Sequence, residues 1–92
     1  MSISARDIDR IYGKLEMEIR ETHHRWAFFV HEGEVITKTR RSLGRGKLKG
    51  IVPDLIRQQL KLNDEQFNEL LKSKFKREGY IDILRDKGIL RN

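Results

Sequence analysis

Residues 15–40, LEMEIRETHHRWAFFVHEGEVITKTR, decide how this chain folds. Leu15, Met17 and Ile19 alternate with Glu16, Glu18 and Arg20, the period of two that marks a half-buried strand. Residues 25–31 carry Trp26, Phe28 and Val30 on one side and Ala27 and Phe29 on the other. A strand apolar on both sides belongs in the middle of a sheet. Glu32 and Gly33 make a turn, and residues 35–40, with Thr37 and Thr39, supply a third strand. Connections this short imply an antiparallel meander.

Outward from that core the period becomes helical. Ser4 with Asp7 three residues on is a capping-box start, Ile3 and Ile8 form a staple, and Ile8, Ile11, Tyr12 and Leu15 make one apolar face, closed at Gly13. Beyond the sheet, Gly44, Gly46 and Gly50 predict a flexible loop. A helix follows from about Gly50 or Ile51, since Pro53 is tolerated in a first turn, and it buries Val52, Leu55, Ile56 and Leu60. Asn63 with Gln66 starts another, whose stripe of Phe67, Leu70, Leu71 and Phe75 runs until Gly79. Tyr80, Ile81, Ile83 and Leu84, before Gly88, suggest a short final helix, with a strand as the alternative. The expectation is a single α+β domain over residues 1–92, ordered αβββαα, with a three-stranded antiparallel sheet covered by helices on one face. Its core spans about residues 4–72 and a helical extension about 73–92.

With 92 residues, 37% of them apolar, the chain has material for one modest core and none for a large enclosed active site. No apolar run is long enough to span a bilayer, and the early Asp7 and Asp9 are unlike a signal peptide, so a soluble, cytoplasmic protein without membrane contact is expected. The absence of cysteine excludes disulfides and thiolate metal sites. The net charge of +6 is concentrated in one place. Residues 1–36 carry a balance of −2, whereas residues 38–49 hold Lys38, Arg40, Arg41, Arg45, Lys47 and Lys49 with no acid. A polyanion is drawn to such a segment because each neutralised phosphate releases counterions. The alternative is a solvated loop kept for solubility.

Thr22, His23, His24, Arg25 and Trp26 form the sharpest chemical feature. An imidazole can take a proton from a ribose 2′-hydroxyl and return one to a leaving oxygen, while an arginine stabilises charge on the phosphorus. The plain reading is two exposed strand-end histidines. Metal binding is not expected, because adjacent histidines point apart and His31 is too distant along the strand from His23. Gly44 and Gly46 lack Walker spacing, so no cofactor is called for, although glycine lets backbone amides approach a phosphate. Phe28, Phe29, Phe67, Phe75 and Tyr12 sit at core spacings, and Trp26 fits either a core or a stacking role.

Thr22-His23 before Trp26, the Gly33 turn, Lys49-Gly50-Ile51-Val52 opening a helix, Ile56-Arg57-Gln58-Gln59-Leu60-Lys61-Leu62 and Glu65-Gln66-Phe67 together resemble the HicA family of toxins. The resemblance covers about residues 4–72 and implies a double-stranded-RNA-binding-domain-like fold and RNA endonuclease activity, with His23 catalytic and Thr22 beside it. The chain departs from the family at Glu21, where a glycine is usual, and at Thr37-Lys38-Thr39-Arg40, where a Val-Pro run with a histidine is usual.

Four functions are thus in competition. The first is a nucleic-acid binding domain, RNA favoured over DNA, using Lys38, Arg40, Arg41, Arg45, Lys47, Lys49 and Arg25. The second is a HicA-like, metal-independent ribonuclease. The third is DNA binding by a helix-turn-helix around residues 60–63, with a basic helix over residues 64–77 in the major groove. The last is a protein-interaction domain whose partner is an antitoxin or a second copy.

Overall fold

The computed structural model describes residues 3–44, 46–48, 50–72 and 74–91. Helix α1 (Ala5–Lys14) begins at Ser4, whose hydroxyl accepts the Asp7 amide while the Asp7 carboxylate accepts the Ser4 amide. Two amides left over at the helix start are thereby paired. The helix does not close at Gly13. Glu16 takes the left-handed conformation instead, at φ 53°. The Met17 amide then reaches the Tyr12 carbonyl at 3.0 Å and the Glu16 amide reaches the Gly13 carbonyl at 3.1 Å. This closing motif prevails because it brings Met17 into the core that already holds Tyr12. Leu15 and Met17, whose alternation suggested strand, are buried in this turn, so strand β1 (Glu18–Glu21) has only four residues.

Strands β1, β2 (His24–His31) and β3 (Glu34–Ser42) form one antiparallel sheet in that order, with β2 central. Glu32 and Gly33 both have positive φ, 51° and 80°. That is the turn whose twist matches a two-residue hairpin. A bulge shifts the register beyond the turn, so that Val30 pairs with Val35 but Phe29 pairs with Thr37. Ala27, Phe29, Thr37, Thr39 and Arg41 are buried on the helix side. The other side of the sheet carries no helix among the described residues.

Helix α2 (Val52–Gln59) has Pro53 in its first turn and lies along β3. The Thr37 hydroxyl donates to the Gln59 carbonyl at 2.5 Å and the Thr39 hydroxyl to the Gln59 side-chain oxygen. Helix α3 (Asp64–Leu71) starts with the Asn63–Gln66 capping box but stops well short of Gly79. The Lys14 ammonium donates to the Leu70 carbonyl at 2.7 Å, satisfying the helix end where a cation also suits the dipole. Desolvation there pushes the Lys14 pKa down. Gly79 lies inside helix α4 (Arg77–Asp86), where a Cβ would come within 2.7 Å of the Phe75 Cβ. Its role is close approach, which a glycine stop signal mimics in sequence. Tyr80 and Leu84 of α4 are fully buried in the same core as α1. Tyr80 meets Phe29 edge-on at 4.8 Å, and its hydroxyl donates to the Leu60 carbonyl at 2.7 Å.

The glycine-rich loop is tied to the start of α1 rather than free. Ala5 donates to the Gly46 carbonyl and Leu48 to the Ile3 carbonyl, each at 2.8 Å. Among the described residues, no helix is long and apolar enough to cross a membrane.

Candidate nucleic-acid interface

Strand alternation divides the basic segment between the two faces of the sheet. Lys38 and Arg40 point to the open side and are exposed, whereas Arg41 points to the helices and is 8% exposed. Register then assembles two rows across the open face. Arg20, Trp26 and Arg40 lie abreast in one, and Glu18, Phe28 and Lys38 in the next.

The Trp26 and Phe28 rings, two residues apart on β2, are partly exposed and nearly parallel, 6.2 Å apart with 19° between planes. The Arg40 guanidinium lies 5.2 Å and the Lys38 ammonium 5.6 Å from the centre of the indole. Such contacts with an exposed ring contribute about 0.5–1 kcal/mol each. Neither cation makes an ion pair with a carboxylate among the described residues. The aromatic strip borders a recess of about 850 Å³ between β3 and the end of α2, where Gln59 and Lys61 complete the wall.

The helix side spends its cations internally. Asp9 of α1 accepts from Arg41 at 2.9 and 2.8 Å and from Arg25 at 3.2 Å, and Arg25 also holds Glu21 at 2.7 Å. Arg41 donates further to the carbonyls of Ser42, at 2.7 Å, and Gly44, at 3.2 Å, which fixes the start of the loop. Beside this cluster sits the buried Tyr12 hydroxyl, next to Thr39, and burial pushes its pKa up to about 12. Arg77 donates to the Leu15 carbonyl at 2.8 Å with its guanidinium over Phe29. These arginines join elements of the fold.

Lys47 is exposed and pairs in a bridge with Ser4, away from the aromatic strip. Arg45 and Lys49 lie outside the described residues. Thr22 and His23 are exposed in the bend between β1 and β2, and the Thr22 amide donates to the His24 carbonyl at 2.9 Å. The His23 imidazole has no hydrogen-bond partner among the described residues. His24 ends the open-face row opposite Ser42, and His31 stands 4.0 Å from Glu32 at the other end of β2. No cluster of three or more metal-ligating side chains occurs among the described residues. The basic helix expected over residues 64–77 ends at Leu71, so Lys72, Lys74 and Lys76 are not on a continuous recognition helix.

Sequence reasoning passed over Phe28, Arg20, Gln59 and Lys61. Phe28 has core spacing within its strand. Only the pairing of β2 with β3 reveals that its row is shared with Lys38. Comparison of the chain with protein-family models, with curated proteins and with solved structures finds no match in any of the three. The HicA resemblance therefore rests on the short motifs that suggested it.

Proposed function

We propose that this domain binds nucleic acid through the open face of its sheet, with RNA the polymer that the HicA resemblance implies. One observation carries the reading: Trp26 and Phe28 form a partly exposed aromatic strip flanked by Arg20, Lys38 and Arg40, with Glu18 the one acid abreast of it. Bases supply flat π-faces for such rings, and phosphates supply the negative charge for the cations. Two adjoining, partly exposed aromatic rings with cations beside them give such a ligand both kinds of contact on one face.

The chain's single tryptophan lies within the proposed site and serves as the reporter. Titration with a labelled 20-nucleotide RNA at low salt is expected to raise its anisotropy and to change Trp26 fluorescence in step. Binding is expected to weaken steeply with salt, and Lys38→Gln with Arg40→Gln is expected to lower the slope of log K against log salt by about 1.4, or about 0.7 per phosphate contact. Absence of binding at low salt refutes the proposal, as does binding that leaves both Trp26 fluorescence and the double variant's slope unchanged.

A further inference from the structure

The recess beside the aromatic strip has a chemistry of its own. Its volume of about 850 Å³ lies within the range of small-molecule sites, about 300–1,000 Å³. It runs over the outer edge of β3, with Trp26, Phe28, Lys38 and Arg40 on the open face of the sheet and Gln59 and Lys61 beyond the strand at the end of α2.

Gln59 is held in one orientation. Its backbone carbonyl accepts the Thr37 hydroxyl and its side-chain oxygen accepts the Thr39 hydroxyl, so both groups are drawn toward β3. With its oxygen turned to Thr39, this exposed side chain leaves its NH2 end to solvent. Lys38, Arg40 and Lys61 are donors only, so the side chains that ring the recess offer N–H groups and no carboxylate.

We infer that this recess takes one unpaired nucleotide of a single strand, its base against Trp26 and Phe28 and its edge read by the Gln59 amide, with uracil or guanine preferred over adenine. Duplex nucleic acid keeps its base faces stacked on one another, so an aromatic strip gains nothing from it, whereas a single strand can turn a base onto the rings. The preference follows from the donors. Uracil, with two carbonyl oxygens, and guanine, with O6 beside N7, can accept from several of these N–H groups at once, whereas adenine accepts only at single-lone-pair ring nitrogens and brings an amino donor of its own. This inference rests on the nucleic-acid reading above and adds strandedness and base class to it.

The test uses fluorescein-labelled U10, A10 and a ten-base-pair RNA duplex, read by anisotropy with the full chain and its variants. Wild type is expected to bind U10 about fivefold more tightly than A10, the worth of roughly one hydrogen bond, and to bind the duplex more weakly than U10. Gln59→Leu is expected to bring the two single strands to nearly equal affinity by weakening U10. Gln59→Glu, which replaces donors with an acceptor at an exposed position, is expected to lower the ratio of U10 to A10 affinity as well. Trp26→Ala is expected to weaken both single strands alike, by about fivefold or more. A10 stacks on itself, but that property does not depend on Gln59, so the change in ratio between proteins is decisive. An unchanged ratio in both Gln59 variants overturns the base reading, and a duplex bound as tightly as U10 overturns the single-strand assignment. Failure of every probe to bind at low salt overturns the nucleic-acid function itself.

Discussion

Arg40 and Arg41 are neighbours in sequence, yet their replacement by glutamine is expected to have opposite consequences. Arg41→Gln removes a guanidinium that makes two bonds to Asp9, at 2.9 and 2.8 Å, and one each to the carbonyls of Ser42 and Gly44. Breaking a buried ion pair costs about 3–5 kcal/mol. Asp9 is 37% exposed and retains Arg25, so solvent and the second arginine reduce the loss to about 2 kcal/mol. For a domain of this size, each kcal/mol moves Tm by about 4–8 °C, giving a fall of about 8–16 °C. Arg40→Gln alters an exposed side chain with no carboxylate partner among the described residues, and its stability is expected to stay within about 0.5 kcal/mol of wild type. Its effect appears in binding, where one lost phosphate contact lowers the salt slope by about 0.7 for a single strand. Thermal melts followed by circular dichroism and anisotropy titrations with U10 across a range of salt measure both quantities. If Arg41→Gln melts with wild type, or if the two variants lower the salt slope equally, the division of cations between the faces is wrong.

Both tyrosines of the chain are buried, and burial pushes the hydroxyl of Tyr12 up to about 12 and that of Tyr80 up as well. Unfolded tyrosine titrates near about 10, so the neutral phenols contribute stability that is fully present below that pH and is lost as pH rises through about 12. Denaturant midpoints are expected to fall across that window, and tyrosinate absorbance from the folded chain with a midpoint near 10 is the contrary result. Glu16→Gly relieves a left-handed residue at φ 53° and is expected to raise stability by about 0.5–1 kcal/mol, measured as a higher urea midpoint; a lower midpoint counts against the helix-closing role. A HicA-like reaction requires His23, so RNA cut in EDTA by wild type and left intact by His23→Ala is its expected signature on a denaturing gel. Binding of U10 is expected to be unaffected by the same change, because His23 lies in the bend outside the Trp26 and Phe28 rows.

The elements of the fold were legible where a local rule and the tertiary structure agree. Ser4 with Asp7, Asn63 with Gln66, Pro53 and the Glu32-Gly33 turn each act within a few residues, and each occurs where its pattern indicates. Glycine misled twice because it has more than one use. At Gly13 the α1 closing turn lies further on, at Glu16, where Met17 can enter the core, and at Gly79 the missing Cβ makes room for Phe75. The C-terminal residues looked like an extension because nothing local shows that Tyr80 and Leu84 fill the space beneath Phe29.

The candidate site was less legible, and the bulge in β3 explains why. Counting back from the Glu32-Gly33 turn in unbroken register sets Thr37 opposite Phe28 and Thr39 opposite Trp26. That arrangement would turn Lys38 and Arg40 inward with Ala27 and Phe29, into a core that offers them no carboxylate. One extra residue on β3 moves every later side chain to the opposite face. The threonines then turn inward, where their hydroxyls bond to Gln59, and the cations turn outward beside Trp26. Burial of two threonines that find acceptors is far less costly than burial of two unpaired cations, so the energetics of the helix side select the bulge. The row of Arg20, Trp26 and Arg40 is a consequence of that choice, made on the helix-covered face. Thr37 and Thr39 govern where Lys38 and Arg40 point, so Thr39→Lys is expected to disturb the candidate site more than Lys38→Thr does, although of the two only Lys38 borders the open face.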